Sequence, residues 1–364
     1  MITDVASDFP VLSQYTYANT AATGLLSETL MEWRQGHDLD YLIKGSLFRE
    51  YNGRFLEDVR EEVAKFVDAE SSQTVLLPNF SFGLKTLVNG LSRNRKVLLV
   101  KDDYPSLNWP FETAGFTSVA HVDISSDPEA AVLEYFRKDT PDIFAFSMVQ
   151  YLNGLCFDPA FIRELKAAYP DTLLIADGTQ YLGTAVFSFE NSGLDVIGTS
   201  GYKWLLAGFG NGFMCVSDVV ARQCYDHAIL FEPQKEEFLS GKNHLQIHLE
   251  PGHLDTLNLG SLGQSVQWLS SLGMANVEAR LKEYSAFGRK EFVKLGVADP
   301  VIENREFHAP VFSLKLGKKT IDALKSRDVI FSVRGGKVRL SFHIYNSIKE
   351  MEKIAKIIKH SEGA

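Results

Sequence analysis

Seven short apolar runs, dense in β-branched and aromatic residues, recur through residues 74–217: TVLL (74–77), KVLLV (96–100), SVAHV (118–122), DIFAFSMV (142–149), TLLIA (172–176), LDVIG (194–198) and GFMCVS (212–217). They are strand-length, and most lack the polar alternation of a half-exposed strand, so they need apolar cover on both faces. Amphipathic helical patterns such as FIRELKAAY (161–169) fit between most of them. This alternation predicts an α/β fold, a mainly parallel sheet with helices on both sides.

Beyond about residue 258 the pattern changes to long helical stretches (260–296), followed by the short strand patterns VFSLKLG, VIFSVRGG and KVRLSFH. A last helix begins at NSIKEMEKIAKIIKH, where Ser347 and Glu350 have capping-box spacing. We expect a large α/β domain over 20–258 and a smaller α+β domain built from 1–19 and 259–364. No repeat, low-complexity tract or linker interrupts the chain.

A formal charge of -9 with scattered basic residues leaves no cationic stripe for nucleic acid. The amino-terminal MITDVASDFPVLSQYTY lacks a basic region followed by an apolar one, and no apolar run approaches a membrane span, so a cytoplasmic location is expected. The three cysteines, Cys156, Cys215 and Cys224, form neither an even disulfide set nor a close pair, which fits a reducing compartment. They read as small buried hydrophobes.

In a doubly wound sheet, ligands sit at the carboxyl ends of the strands. Asp177 follows TLLIA there, with Gln180 three residues on, and Ser200 and Lys203 hold the equivalent place after LDVIG. A lysine in an apolar, aromatic surround favours its neutral amine and becomes a nucleophile toward an aldehyde. A buried carboxylate needs a cation, which a pyridinium nitrogen would supply. In LLPNFSFGLKTLVNGL (76–91) a helix is expected to begin near Phe80, so Ser81 and the N–H groups around Phe82 would offer an anion site at its start. Ser200 and Tyr202 could add hydroxyl donors to a phosphate.

On these residues the sequence resembles the class V aminotransferase family of pyridoxal-phosphate enzymes, which includes cysteine desulfurases, kynureninase and isopenicillin N epimerase-like proteins. ADGTQ is similar to the family's Asp-x-x-Gln, and TSGYKW to its Ser-x-[His/Tyr]-Lys, with Lys203 at the Schiff-base position. NFSFG resembles the phosphate turn, which puts Phe80, Ser81 and Phe82 on the phosphate, and DDYPSLNWP gives Tyr104 the ring-stacking role. VQYLNG brings Gln150 near cofactor or substrate, and YANTAATG brings Asn19 and Ala21 beside the substrate. VRGGKVRLSFHIYN puts Arg339 where a guanidinium grips the substrate carboxylate. The resemblance spans nearly the whole chain. It implies the type I fold of these transferases with a seven-stranded sheet, pyridoxal 5'-phosphate as cofactor, and a homodimer with a shared active site.

Two departures from the family pattern matter. SRDVIFSVRGGKVRLS has no cysteine where desulfurases carry their nucleophile. The interface motif appears as GHLDTLN (252–258), so either His253 or Thr256 would reach the partner's phosphate. GFGNG (208–212) precedes a strand rather than opening a helix, and reads as a tight turn instead of a dinucleotide loop. HLQIHLEPGH (244–253) reads as polar alternation on an exposed segment or a subunit contact, and no metal is expected.

Among reactions, amino-group transfer from an amino acid to a keto acid comes first, since it needs only the lysine as proton shuttle. A cysteine or selenocysteine lyase, a kynureninase-like hydrolase and an epimerase follow. An idle cofactor-binding sensor or scaffold is the remote alternative, and a nicotinamide oxidoreductase lacks its glycine fingerprint. The discriminating side chains are expected in segments 36–56 and 227–258.

Overall fold

In the computed structural model, which describes residues 5–124, 127–230, 242–303 and 305–362, all seven runs are strands of one sheet. Residues 1–4 of the amino-terminal stretch and 231–241 of the 227–258 segment lie outside the described residues. The strands in chain order are β1 (Thr16–Tyr17), β2 (Thr74–Leu77), β3 (Lys96–Val100), β4 (Ser118–Val122), β5 (Ile143–Ser147), β6 (Leu173–Asp177), β7 (Val196–Ser200), β8 (Gly212–Val216), β9 (Val311–Leu314), β10 (Val329–Ile330), β11 (Ser332–Arg334) and β12 (Lys337–Ser341).

The large sheet has the order β2-β8-β7-β6-β5-β3-β4 and is parallel except for β8, which runs antiparallel to both neighbours. Along β5 and β6 the side chains divide between two cores: Phe144, Phe146, Leu174 and Ala176 on one face, Ile143, Ala145, Leu173 and Ile175 on the other. That division is why these runs carry no polar alternation. The edge strand β4 does mix in exposed residues.

β9, β12 and β11 form a separate antiparallel sheet, and β1 pairs in parallel with β10. Helices Thr256–Leu272 and Met274–Lys294 follow the large sheet, and the last helix, Ile348–Glu362, opens with the predicted box: Ser347 N donates to Glu350 Oε2 at 2.6 Å and Glu350 N to Ser347 Oγ at 3.3 Å. Helix Thr256–Leu272 lies so close to helices Glu28–Lys44 and Asn52–Phe66 that a Cβ on Gly260 would collide with the rings of Trp33 and Phe55.

The HLQIHLEPGH segment departs from the expectation of exposed alternation. It forms a short helix, His244–Leu249, started by an Asn243/Gln246 capping box and burying Leu245 and Leu249. Its histidines take separate partners: His244 Nε2 meets the Cys224 carbonyl at 3.1 Å, and His248 stacks on Tyr225 at 3.8 Å.

Candidate active site

Loops leaving the carboxyl ends of β2, β3, β6 and β7 surround a cleft of about 400 Å³. It is lined by Asn79, Ser81, Tyr104, Asp177, Lys203 and, beside them, Phe80, Thr179, Ser200, Tyr202, Phe209 and Gly210. Seven of the nine residues predicted for catalysis and cofactor binding therefore converge, whereas the predicted substrate residues Arg339, Gln150, Asn19 and Ala21 do not line the cleft.

Asp177 is the last residue of β6 and is only 5% exposed; its Oδ1 accepts the Thr179 N–H at 2.8 Å. Burial raises its pKa, partly countered by the Thr179 hydrogen bonds and by the charge of Lys203. Lys203 is equally buried, and its Nζ stands 5.2 Å from the centroid of the Tyr104 ring and 5.5 Å from that of Tyr202. Desolvation lowers its pKa to about 8, with Asp177 opposing the shift and the charges of Arg339 and Arg334 adding to it.

This displaced titration has a consequence for stability. The unfolded lysine keeps its proton up to about pH 10.5, whereas the folded one releases it near 8. Between those values the unfolded chain binds more protons, so stability of the cofactor-free protein rises with pH across that window. Below pH 8 the buried cation is a cost of roughly 3 kcal/mol. Denaturant titrations should find Lys203→Met more stable than the parent at pH 7, with the gap closing toward pH 10.5; a gap independent of pH would contradict the assignment.

The backbone around the lysine is clamped. Gly24 N donates to the Tyr202 carbonyl at 2.8 Å, and any Cβ on Gly24 would strike the Lys203 carbonyl, so this close approach requires glycine. Trp204 donates through Nε1 to Gln180 Oε1 at 2.6 Å, stacks on His343, and its carbonyl lies 2.9 Å from His343 Nε2. Gln180 Nε2 meanwhile donates to the Ala21 carbonyl at 2.9 Å. Gln180 thus ties the lysine turn to the amino-terminal segment and does not line the cleft.

The helix Phe80–Gly90 points its start at the cleft. Asn79 caps it by accepting the Phe82 N–H at 2.9 Å, and the Phe80 N–H goes to Ser200 Oγ at 3.0 Å. Phe82 is therefore engaged within the cap and does not line the cleft; at this helix start the Ser81 hydroxyl and N–H are the donors left for a ligand. Tyr104 is placed by Asp103, whose buried carboxylate accepts the Tyr104 N–H at 2.7 Å, the Ser147 N–H at 2.8 Å and the Ser147 hydroxyl at 2.7 Å. Burial raises the Asp103 pKa to about 6, and the nearby Asp177 charge adds to the shift.

Arg339 on β12 is 2% exposed and donates from Nη1 to the Tyr151 carbonyl at 2.6 Å, while its Nε is buried without a partner. Desolvation lowers its pKa to about 10. Asn19, bridged to Ser341, also leaves its Oδ1 buried and unpartnered, whereas the Ala21 N–H goes to Ser341 Oγ at 2.8 Å. Gln150 is buried in a turn, its N–H on the Leu155 carbonyl at 2.8 Å, and does not line the cleft. His253 is exposed with Nε2 3.2 Å from Arg49 Nη2, and the Thr256 hydroxyl meets His37 Nε2 at 3.0 Å. Thr179, Phe209, Gly210 and Asp103 are not among the site residues expected from sequence, although each lies in a motif singled out there: Thr179 in ADGTQ, Asp103 in DDYPS, and Phe209 and Gly210 in GFGNG, which reads only as a tight turn.

The cysteines stay away from this cleft. Cys156, Cys215 and Cys224 are buried, and desolvation pushes each thiol up to about 12.

The chain matches the family "Aminotransferase class-V" over residues 44–354. It is 21% identical over 357 residues to the uncharacterized aminotransferase YcbU of Bacillus subtilis, covering 94% of this chain and 93% of that protein. In structure it is similar to the cysteine desulfurase of Thermococcus onnurineus, with TM-score 0.85, 17% identity, and coverage of 100% of this chain and 99% of that one. It is also similar to the cystine C-S lyase C-DES in complex with its product cysteine persulfide, with TM-score 0.84, 14% identity, and coverage of 96% and 99%.

Proposed function

The chain belongs to the class V aminotransferase family, and from that premise we propose that it is a pyridoxal-phosphate-dependent aminotransferase acting at the α-carbon of an amino acid. The observation that carries the reading is the buried pair at the strand ends, Asp177 and Lys203, with a lysine amine of lowered pKa facing aromatic rings. The donor set suits the cofactor. A buried carboxylate such as Asp177 calls for a cationic ring nitrogen, an amine of lowered pKa suits an aldehyde, and a helix start carrying Ser81 suits a phosphate.

When bound, pyridoxal phosphate supplies an aldehyde for amine capture and a pyridinium ring that draws electrons from the substrate's α-carbon. Lys203 Nζ is the covalent anchor for that aldehyde. With the cofactor in place, Lys203 Nζ would also be the group that takes a proton from the substrate's α-carbon and returns one, a role its apolar surround favours by lowering the amine's pKa. Asp177 holds the ring nitrogen protonated. Tyr104 covers a ring face, and Ser81, Ser200 and Tyr202 hold the phosphate. Arg339 orients the substrate carboxylate, which gives its unpartnered Nε an acceptor.

The same reading has the enzyme as a cytoplasmic homodimer with a shared site, divided into a domain over 20–258 and one from 1–19 and 259–364. Support for the dimer comes from Leu39, Tyr41, Leu42, Ile43 and Leu47, all more than half exposed on neighbouring helices Glu28–Lys44 and Ser46–Glu50. An apolar surface of this kind marks an interface. It adjoins the His37–Thr256 contact, keeping Thr256 and His253 as the candidates for reaching the partner's site. No described helix is long and apolar enough to cross a membrane.

A persulfide route through a cysteine is disfavoured, because all three thiols are buried and hold their protons. The test is to incubate the holoenzyme with amino acids, with and without keto acids. Transfer of the amino group to the acceptor, one for one with donor consumed, supports the proposal. Release of sulfide or alanine from cysteine without any acceptor would replace it with a lyase, and a cofactor spectrum unmoved by every amino acid would point to an idle binder.

A further inference from the structure

The ribbon that carries Arg339 carries a second cation on the same face. β11 and β12 pair antiparallel with Ser332 opposite Arg339 and Arg334 opposite Lys337. Directly opposed residues, and residues two apart, share one face of a sheet, so Ser332, Arg334, Lys337 and Arg339 lie together, with Arg334 and Arg339 on the diagonal at roughly 7–8 Å. That face meets the cleft: Arg339 holds the Tyr151 carbonyl, and the Tyr151 ring packs edge-on at 5.2 Å against cleft-lining Tyr104.

The two arginines differ in depth and share a deficit. Arg339 is buried, while Arg334 is exposed beside the Gly335–Gly336 turn, whose left-handed φ values of 53° and 75° reverse the ribbon. Lys337 is satisfied by Asp299 at 2.9 Å, but neither arginine has an acidic partner among the described residues. Arg334 makes one marginal hydrogen bond, to the adjacent Val333 carbonyl at 3.5 Å. Directly across from Arg339, Ser332 Oγ is buried and has no partner among the described residues, and neither has Arg339 Nε. Arg334 does not line the cleft itself, but its charge acts on Tyr202 and Lys203, which do, as well as on Tyr151 and Arg339. Two unneutralised guanidinium groups and unused hydrogen-bonding atoms on one face are a receptor for two anionic groups at different depths.

We infer that the amino-acid substrate carries a second acid group at the end of its side chain, held by Arg334 beside the cleft, with its α-carboxylate on Arg339. The inference rests on the aminotransferase reading above and names its substrate class: α-amino diacids of aspartate or glutamate size.

Two measurements test it. With the holoenzyme and a keto acid acceptor, kcat/KM for L-aspartate or L-glutamate should exceed that for L-alanine or L-norvaline by about tenfold or more, and Arg334→Gln should collapse that ratio by a similar factor, mainly through KM. In calorimetry, succinate should bind the protein at least about tenfold more tightly than butyrate, with the advantage lost in Arg334→Gln. Neutral amino acids used as well as acidic ones, or a variant that weakens both classes equally, would overturn the inference while leaving the aminotransferase reading intact. If no amino acid reacts at all, the aminotransferase reading fails. The succinate comparison then still decides whether Arg334 selects a diacid.

Discussion

Replacing Lys203 with alanine is expected to lower turnover by about three orders of magnitude or more, because one amine serves both as anchor and as proton carrier. Lys203→Arg should be equally inactive although it keeps a cation, since a guanidinium stays protonated at any working pH and offers neither nucleophile nor base. That separates the chemistry of the amine from its charge beside Asp177. Both variants should fold: the Gly24, Gln180 and His343 contacts that hold this turn are made to backbone atoms or to Trp204, and none uses the lysine side chain. Circular dichroism alongside steady-state rates checks this, and a folded Lys203→Ala retaining a tenth of parental activity would refute the lysine's role.

The largest effect on stability is expected far from the cleft. Glu250 is 2% exposed and receives Arg60 Nη1, Arg60 Nη2 at 2.9 Å, the Leu76 N–H at 2.8 Å and Lys242 Nζ at 3.2 Å. It fastens the helix Asn52–Phe66 to strand β2, whose carboxyl end leads to Asn79 and Ser81. Glu250→Ala would leave the Arg60 guanidinium buried with only the half-exposed Glu57 as carboxylate partner and the Leu76 N–H unpaired. The cost should be about 3–5 kcal/mol, read as a lower urea midpoint. An Arg60→Met/Glu250→Met double variant should recover much of that loss, because the Arg60 guanidinium is then no longer left buried beside a missing carboxylate. A single variant within about 0.5 kcal/mol of the parent would contradict this account.

Much of this architecture was readable from strand-length apolar runs, and its edges show where local pattern stops. DIFAFSMV reads as strand to Val149, but β5 ends at Ser147: the last ladder bond runs from Met148 N–H to the Asp177 carbonyl, after which Val149 bridges to Cys156 and Gln150 N–H goes to the Leu155 carbonyl. LDVIG starts early for a similar reason: the Asp195 side chain is drawn to the Leu174 N–H at 2.8 Å, and β7 begins only at Val196. In the cleft, Asp177, Ser200, Tyr202 and Lys203 were legible because each sits within a few residues of a strand end, whereas Tyr104 came only from the family resemblance of DDYPSLNWP. Gln180, Gln150 and Ala21 carry motif spacing too, yet their partners arrive from segments whose approach no local spacing encodes; Gln180 meets Ala21 across 159 residues. The Arg60–Glu250 pair, 190 residues apart, left no signal for the same reason.

The central claim is that Lys203 is the amine that takes the cofactor. Saturating the purified protein with pyridoxal phosphate, reducing it with borohydride and mapping the peptides by mass spectrometry tests this directly. The account predicts a visible band that borohydride bleaches and a single cofactor adduct on the peptide containing Lys203. An adduct on another lysine, or none with cofactor in excess, would contradict it.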